Sequence, residues 1–194
     1  RDGAIDIVMS SWGLRDQLRY FKNTGNKGFV DRTQFAGIEG EVGGLNICHA
    51  DYNNDGYADI LILRGAWFEK FGNFPNSLLR NNGDGTFEDV SESSGISKVK
   101  GPGMGVVAAD WDDDGDSDIF VAQDGSPNLL FQNDGTGHFE EVGLLSGVAS
   151  NYDGKINGSM GVDCGDVDGD GRLDLFVTNY QSEMPVLYRN LGSG

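Results

Sequence analysis

Three copies of one acidic segment set the frame for everything else in this chain of 194 residues. They read DYNNDGYADI from Asp51, DWDDDGDSDI from Asp110 and DVDGDGRLDL from Asp166, spaced by 59 and then 56 residues. The opening RDGAIDI matches the tail of a fourth copy, with Asp2, Gly3 and Asp6 in place of Asp55, Gly56 and Asp59. A second signature, NxGxxxF, follows each copy as NTGNKGF from Asn23, NNGDGTF from Asn81 and NDGTGHF from Asn133, and is cut short as NLG from Asn190. Gly37, Gly95 and Gly147 each stand eight residues beyond the Phe. Two motifs recurring in fixed order mark a repeat architecture, in which units stack on their neighbours because none can bury its apolar face alone.

Within one unit, GMGVVAAD (103 to 110) is small and β-branched, and SDIFVAQ (117 to 123) is a short continuous apolar run. NLLFQN (128 to 133) and HFEEVG (138 to 143) follow, separated by an Asn/Asp/Gly turn that suits a hairpin. That makes four short strands per unit and no amphipathic helix. Four-stranded sheets recurring at this period point to an all-β fold, a β-propeller of four-stranded antiparallel blades. The expected division is a partial blade over 1–42, complete blades over 43–101 and 102–157, and a partial blade over 158–194. Two complete and two partial blades do not close a ring, so further chain or neighbouring subunits are expected to cover the open ends.

Six aspartates in the nine residues from Asp110 to Asp118 repel one another unless a cation sits between them, and no Lys or Arg lies among them. Counting from Asp110, side-chain oxygens fall at positions 1, 3, 5 and 9 (Asp110, Asp112, Asp114, Asp118), with Gly115 at position 6 and the carbonyl of Asp116 at position 7. The other loops repeat this with Asp51, Asn53, Asp55 and Asp59, and with Asp166, Asp168, Asp170 and Asp174. Ca²⁺ takes six to eight oxygen ligands, and a Gly at position 6 permits the sharp turn that gathers them. Mg²⁺ fits less well because it demands a strict octahedron. An EF-hand is excluded: position 12 is Ile62, Val121 or Val177 instead of Glu, inside a β-rich run. The expectation is three Ca²⁺ sites.

With 31 acidic against 14 basic residues, the net charge is -17, which argues against a nucleic-acid partner. Hydrophobic residues make up 38% of the chain, enough for a core, yet no apolar run approaches the roughly 20 residues of a membrane-spanning helix. The chain opens at Arg1 without a Met or a signal peptide, so a processed or partial chain is expected.

These paired motifs resemble the FG-GAP or VCBS repeats of integrin α-subunit-like propellers, and are most similar to the secreted CRTAC/ASPIC-type group, across essentially the whole chain. The resemblance implies a propeller, commonly seven-bladed, with Ca²⁺ in the hairpin between the first and second strands of a blade. It maps loop positions 1, 3, 5, 7 and 9 onto Asp51, Asn53, Asp55, Tyr57 and Asp59. The second set is Asp110, Asp112, Asp114, Asp116 and Asp118, and the third Asp166, Asp168, Asp170, Arg172 and Asp174, position 7 giving its carbonyl. At the start only Asp2 and Asp6 remain of the loop.

No GxSxG, HExxH or dinucleotide-binding context occurs, and His49 and His138 fall at unrelated points of the repeat. The reading is therefore a non-enzymatic, calcium-stabilised module that binds a protein or glycan ligand, in an extracellular, periplasmic or cell-surface setting. A structural scaffold subunit is the alternative, and a calcium-containing polysaccharide lyase the weaker one. Cys48 and Cys164 are expected to stay unbridged, on opposite faces of equivalent strands two blades apart. The connections between second and third strands, 10 to 17, 64 to 77, 124 to 128 and 179 to 185, should emerge opposite the acidic loops. They carry Trp12, Trp67, Phe68, Phe71, Phe74, Tyr180 and Met184. Trp67 and Phe71 are the expected partner anchors, since interfaces are enriched in aromatic residues.

Overall fold

The computed structural model describes residues 3–11, 13, 16–65 and 74–192. Among these, β1 (Ile7–Met9), β2 (Arg19–Asn23) and β3 (Phe29–Asp31) form a three-stranded antiparallel sheet in chain order. Next come β4 (Asn46–Ala50), β5 (Asp59–Leu63), β6 (Ser77–Asn81) and β7 (Phe87–Asp89), a four-stranded sheet in chain order. The third sheet repeats it with β8 (Gly103–Ala109), β9 (Asp118–Gln123), β10 (Leu129–Asn133) and β11 (Phe139–Glu141). The fourth holds β12 (Ser159–Gly165), β13 (Asp174–Asn179) and β14 (Val186–Tyr188). This all-β set of small up-and-down sheets is the propeller architecture the repeats imply.

The continuous apolar runs acquire a reason here. Side chains alternate across a strand, so a strand apolar at every position is one covered on both sides. Along β5, Ile60 and Ile62 pack with Leu18, Tyr20 and Ile38 of the first blade, while Leu61 and Leu63 pack with Ile119, Val121 and Phe131 of the third. Along β9, Ile119 and Val121 face the second blade, and Phe120 and Ala122 face Leu175 and Val177 of the fourth. The core is therefore a series of layers between blades. The innermost strands use small residues because they run close together: a Cβ on Gly105 would stand 2.8 Å from the Met160 carbonyl oxygen of β12.

The last strand of a blade is tied to the blade before it. The Phe139 N–H donates to the Ser94 carbonyl at 2.7 Å, and its ring meets Tyr52 edge-on at 5.9 Å. Phe87 repeats this with Ala36 and Tyr20. The conserved spacing within this chain from Phe to Gly serves the same contact, since Gly95 has φ +88° and a Cβ there would lie 2.7 Å from the Phe139 carbonyl oxygen.

Cys48 and Cys164 are both free. Cys48 pairs in register with Leu61, two residues past Asp59, whereas Cys164 pairs with Leu175, one past Asp174, which puts them on opposite faces. No helix among the described residues is long and apolar enough to cross a membrane.

Phe139 is 1% exposed at the layer between the second and third blades. Phe139→Ala is expected to lower stability by about 3–5 kcal/mol in urea denaturation. A loss under about 1 kcal/mol would show that the layer between these blades does not hold them together.

Candidate metal centre

Each acidic loop joins the first strand of a blade to the second: β4 to β5, β8 to β9 and β12 to β13. Its shape follows from carboxylates accepting the loop's own backbone N–H groups. Asp110 takes those of Asp114 (3.2 Å) and Gly115 (2.9 Å), and Asp114 takes that of Asp116 (2.9 Å). Asp51 and Asp55 do the same for Asp55, Gly56 and Tyr57. In the third loop Asp166 takes Gly169, Asp170 and Gly171, and Asp170 takes Arg172. Two left-handed residues make the turn: position 6 is Gly56, Gly115 or Gly171 (φ +88°, +96°, +89°), and position 4 is Asn54, Asp113 or Gly169 (φ +57°, +61°, +77°). Asn, Asp and Gly are the residues that tolerate this conformation.

The fold gathers carboxylates in two of the loops. Asp110, Asp112 and Asp118 each offer an oxygen within 4.8 Å of the others, and so do Asp166, Asp168 and Asp174. Ligands on opposite sides of a cation held at about 2.4 Å stand about 4.8 Å apart, so both triads can hold a hard metal ion. With Asn53 at position 3, the first loop forms no such acidic triad among the described residues. Position 5 stands outside both triads, and Asp170 instead pairs with the Arg172 guanidinium. At position 7, Tyr57 lies against Gly83, and Asp116 lies against Gly135 and accepts the Asn54 amide from the preceding blade.

Position 9 is the buried member. Asp59, Asp118 and Asp174 are each 2% exposed. One oxygen of each accepts the N–H of loop position 2: Tyr52 at 3.1 Å, Trp111 at 3.2 Å and Val167 at 3.1 Å. The other accepts the N–H of the turn asparagine: Asn81 at 2.7 Å, Asn133 at 2.9 Å and Asn190 at 2.8 Å. Burial pushes the Asp118 carboxyl up to about 6, and Asp112 and Asp114 add to the push. Burial also raises Asp59, helped by Asp55 and Asp51. Asp114 is raised too: the Asp116 N–H draws it down, but desolvation and its acidic neighbours outweigh that.

The turn asparagines are the supports of the site that sequence reasoning missed. Their recurrence was plain, but not their bonds. Asn133 donates its amide to the Ser117 carbonyl (3.0 Å) and to the Tyr52 carbonyl of the preceding blade (2.7 Å), and accepts the Gly135 and Gly137 N–H groups at 3.2 Å. Asn190 likewise reaches the Trp111 carbonyl of its preceding blade at 2.7 Å. Trp67 and Phe71, the expected partner anchors, Trp12 and Phe68 of the same set of connections, and Asp2 of the truncated opening copy lie outside the described residues. On the corresponding connection of the fourth blade, Tyr180 and Met184 are exposed.

Asn133→Ala would strip partners from two carbonyls and two N–H groups, 3% exposed at the residue. It is expected to cost about 2–3 kcal/mol of unfolding free energy in a chemical melt. A loss within about 0.5 kcal/mol would mean that water replaces these bonds without penalty.

The FG-GAP-like repeat model matches residues 1–62, 71–121 and 110–177. Cartilage acidic protein 1 of Xenopus tropicalis is 31% identical over 172 residues, 84% of this chain and 25% of that protein. The Mus musculus and Homo sapiens proteins of the same name are 31% and 30% identical over 174 residues. The chain thus spans about a quarter of the length of these relatives. A solved structure of an Agrocybe aegerita lectin, reported for specific recognition of non-reducing terminal N-acetylglucosamine, shares the fold. It aligns with a TM-score of 0.51 at 20% identity, over the whole of this chain and 47% of its own. This chain belongs to the FG-GAP-like repeat family.

Proposed function

We propose that the chain is a calcium-binding, non-enzymatic part of a β-propeller that presents a surface to a protein or glycan ligand outside the cytoplasm. The observation that carries the calcium reading is Asp118: a buried carboxylate within 4.8 Å of Asp110 and Asp112, met by two backbone N–H groups and raised by its surroundings. An all-oxygen donor set of this charge favours Ca²⁺. The three ligand sets are those expected from the loops, with Asp51, Asn53, Asp55 and Asp59 completing the first. The extracellular setting is supported by the relatives' name, cartilage acidic protein, and by calcium's abundance where modules with Kd of about 10⁻⁴–10⁻³ M are used.

Calorimetric titration of the chelated protein with CaCl₂ is expected to give about three sites, and EDTA to lower the melting temperature, because binding to the native state stabilises it by mass action. The pH dependence separates the metal from the fold. A carboxyl raised to about 6 in the folded state favours folding fully below about pH 4, its unfolded value, and that contribution is lost as pH rises through 6. As a metal ligand Asp118 must first lose its proton, so affinity at the second loop should fall about tenfold from pH 7 to pH 5. An EDTA-insensitive melt would remove the calcium reading.

The proposed ligand surface is that of the second-to-third-strand connections, which by up-and-down topology leave the sheets at the end opposite the loops; the longest of them carries Trp67 and Phe71 in its sequence. Trp67→Ala is expected to weaken binding on a glycan array or to a captured protein ligand by more than about 1 kcal/mol, with the melting temperature unchanged. Destabilisation without loss of binding would make that loop a cover for its own blade.

A further inference from the structure

One position beside the loops differs from blade to blade in a way that bears on the cation. Immediately before the turn asparagines stand Lys22, Arg80, Gln132 and Arg189. Three of these sit in equivalent register, Lys22 opposite Val30, Arg80 opposite Glu88 and Gln132 opposite Glu140. In the third blade the Gln132 amide donates to Asp112 at 2.5 Å, and in the fourth the Arg189 guanidinium pairs with Asp168. Asp112 and Asp168 are the same loop position, and both belong to the acidic triads. In the first blade Lys22 pairs with Asp6 at 3.2 Å. Arg80 turns the other way, onto Glu88 across β6 and β7 at 2.5 Å.

The consequence is a different charge balance in each loop. The second has carboxylates at all four side-chain ligand positions and two more at Asp113 and Asp116, and no ion pair among the described residues reaches them. The first has three and Asn53, and its neighbouring arginine is engaged elsewhere. The third also has four, but Arg189 holds Asp168 and Arg172 holds Asp170. Arg172 is further anchored by its Nε donating to the Asn190 carbonyl at 3.0 Å, beside Arg189 itself. A guanidinium does not titrate in the physiological range, so its competition for these oxygens persists at every working pH.

We propose that the residue before the turn asparagine grades the loops' affinity for Ca²⁺: Gln132 leaves the second loop the tightest, and Arg189, by holding Asp168, makes the third the weakest. The inference rests on the calcium reading above. Affinity in such loops follows the ligand charge count, and a fixed cation subtracts from that count. The pair is partly exposed, with 55% of the Arg189 side chain accessible, so its effect is moderate.

The test is calorimetric titration of the chelated protein with CaCl₂, with Asp168→Asn and Asp112→Asn assigning the weakest and tightest constants to their loops. Arg189→Gln should tighten the weakest constant about tenfold and leave the others within about twofold, tenfold being about 1.4 kcal/mol. Arg189→Lys, which keeps the charge, should stay near the parent protein. Gln132→Arg should weaken the tightest constant by a similar factor. A merely structural role for Arg189 would move the EDTA-state melting temperature and not one constant alone. If Ca²⁺ binds at three sites and Arg189→Gln leaves all three constants unchanged, the grading is wrong and the calcium reading stands. If no variant or parent binds Ca²⁺, both fall.

Discussion

The buried carboxylate at loop position 9 is the interaction on which the rest of the blade depends. Removing an ionised carboxylate from water is expensive unless its oxygens are occupied, and the two N–H groups that occupy them come from different places in the chain. One belongs to the acidic loop, the other to the turn between the third and fourth strands. The sequence separation from this Asp to its turn asparagine is 17, 22, 15 and 16 residues in the four blades. The connection between second and third strands varies in length while the bond does not. That is why the two motifs keep their order and their company, although the distance between them drifts.

The same turn carries the structure from blade to blade. Asn133 and Asn190 cross to the position-2 carbonyls of Tyr52 and Trp111, whose N–H groups are held by Asp59 and Asp118. A peptide at loop position 2 is thus gripped on one side by its own blade and a residue later by the next. Asn54 adds a contact from one loop to Asp116 of the next. The side chains at these peptides, Tyr52 and Trp111, enter the apolar layers between blades. Anything that fixes the loop therefore also fixes the seating of its neighbour, and ordering of a loop by a cation would stiffen a blade junction as well as a hairpin.

The blades and loops were readable in the sequence because a repeat shows its own phase: strands, turns and acidic positions recur, and each copy checks the others. The alternation of Ile60 and Ile62 against Leu61 and Leu63 was visible only as an apolar run, since two faces that are both apolar leave no period to detect. Asn133 was readable as a fixture of the turn, but its partner Tyr52 lies 81 residues away, and nothing local announces such a bond. Arg189 was hidden for the opposite reason. It occupies a position where the blades disagree, and a search for recurrence passes over it. The expected position 5 ligands, Asp114 and Asp170, stand outside the gathered triads; Asp114 accepts the Asp116 N–H, and Asp170 accepts the Arg172 N–H and pairs with its guanidinium.

Asp6 and Asp118 show what a cation would supply under the calcium reading. They occupy the same place in their blades, and each accepts the N–H of its turn asparagine, at 2.8 and 2.9 Å. Burial raises both, but Asp6 also receives the Tyr20 hydroxyl at 2.6 Å and Lys22 at 3.2 Å, and its carboxyl ends below the ordinary value. Asp118 has no such company, faces Asp112 and Asp114, and is raised to about 6. The fold is common to both, so the difference lies in whether the chain brings its own partners, the Tyr20 hydroxyl first and the Lys22 ammonium after it. Where such partners are built in, as at Asp6, the carboxylate is content as an anion. Where they are absent, as at Asp118, the loop keeps its geometry while its carboxylates face one another, and under the calcium reading the balancing charge comes from solution.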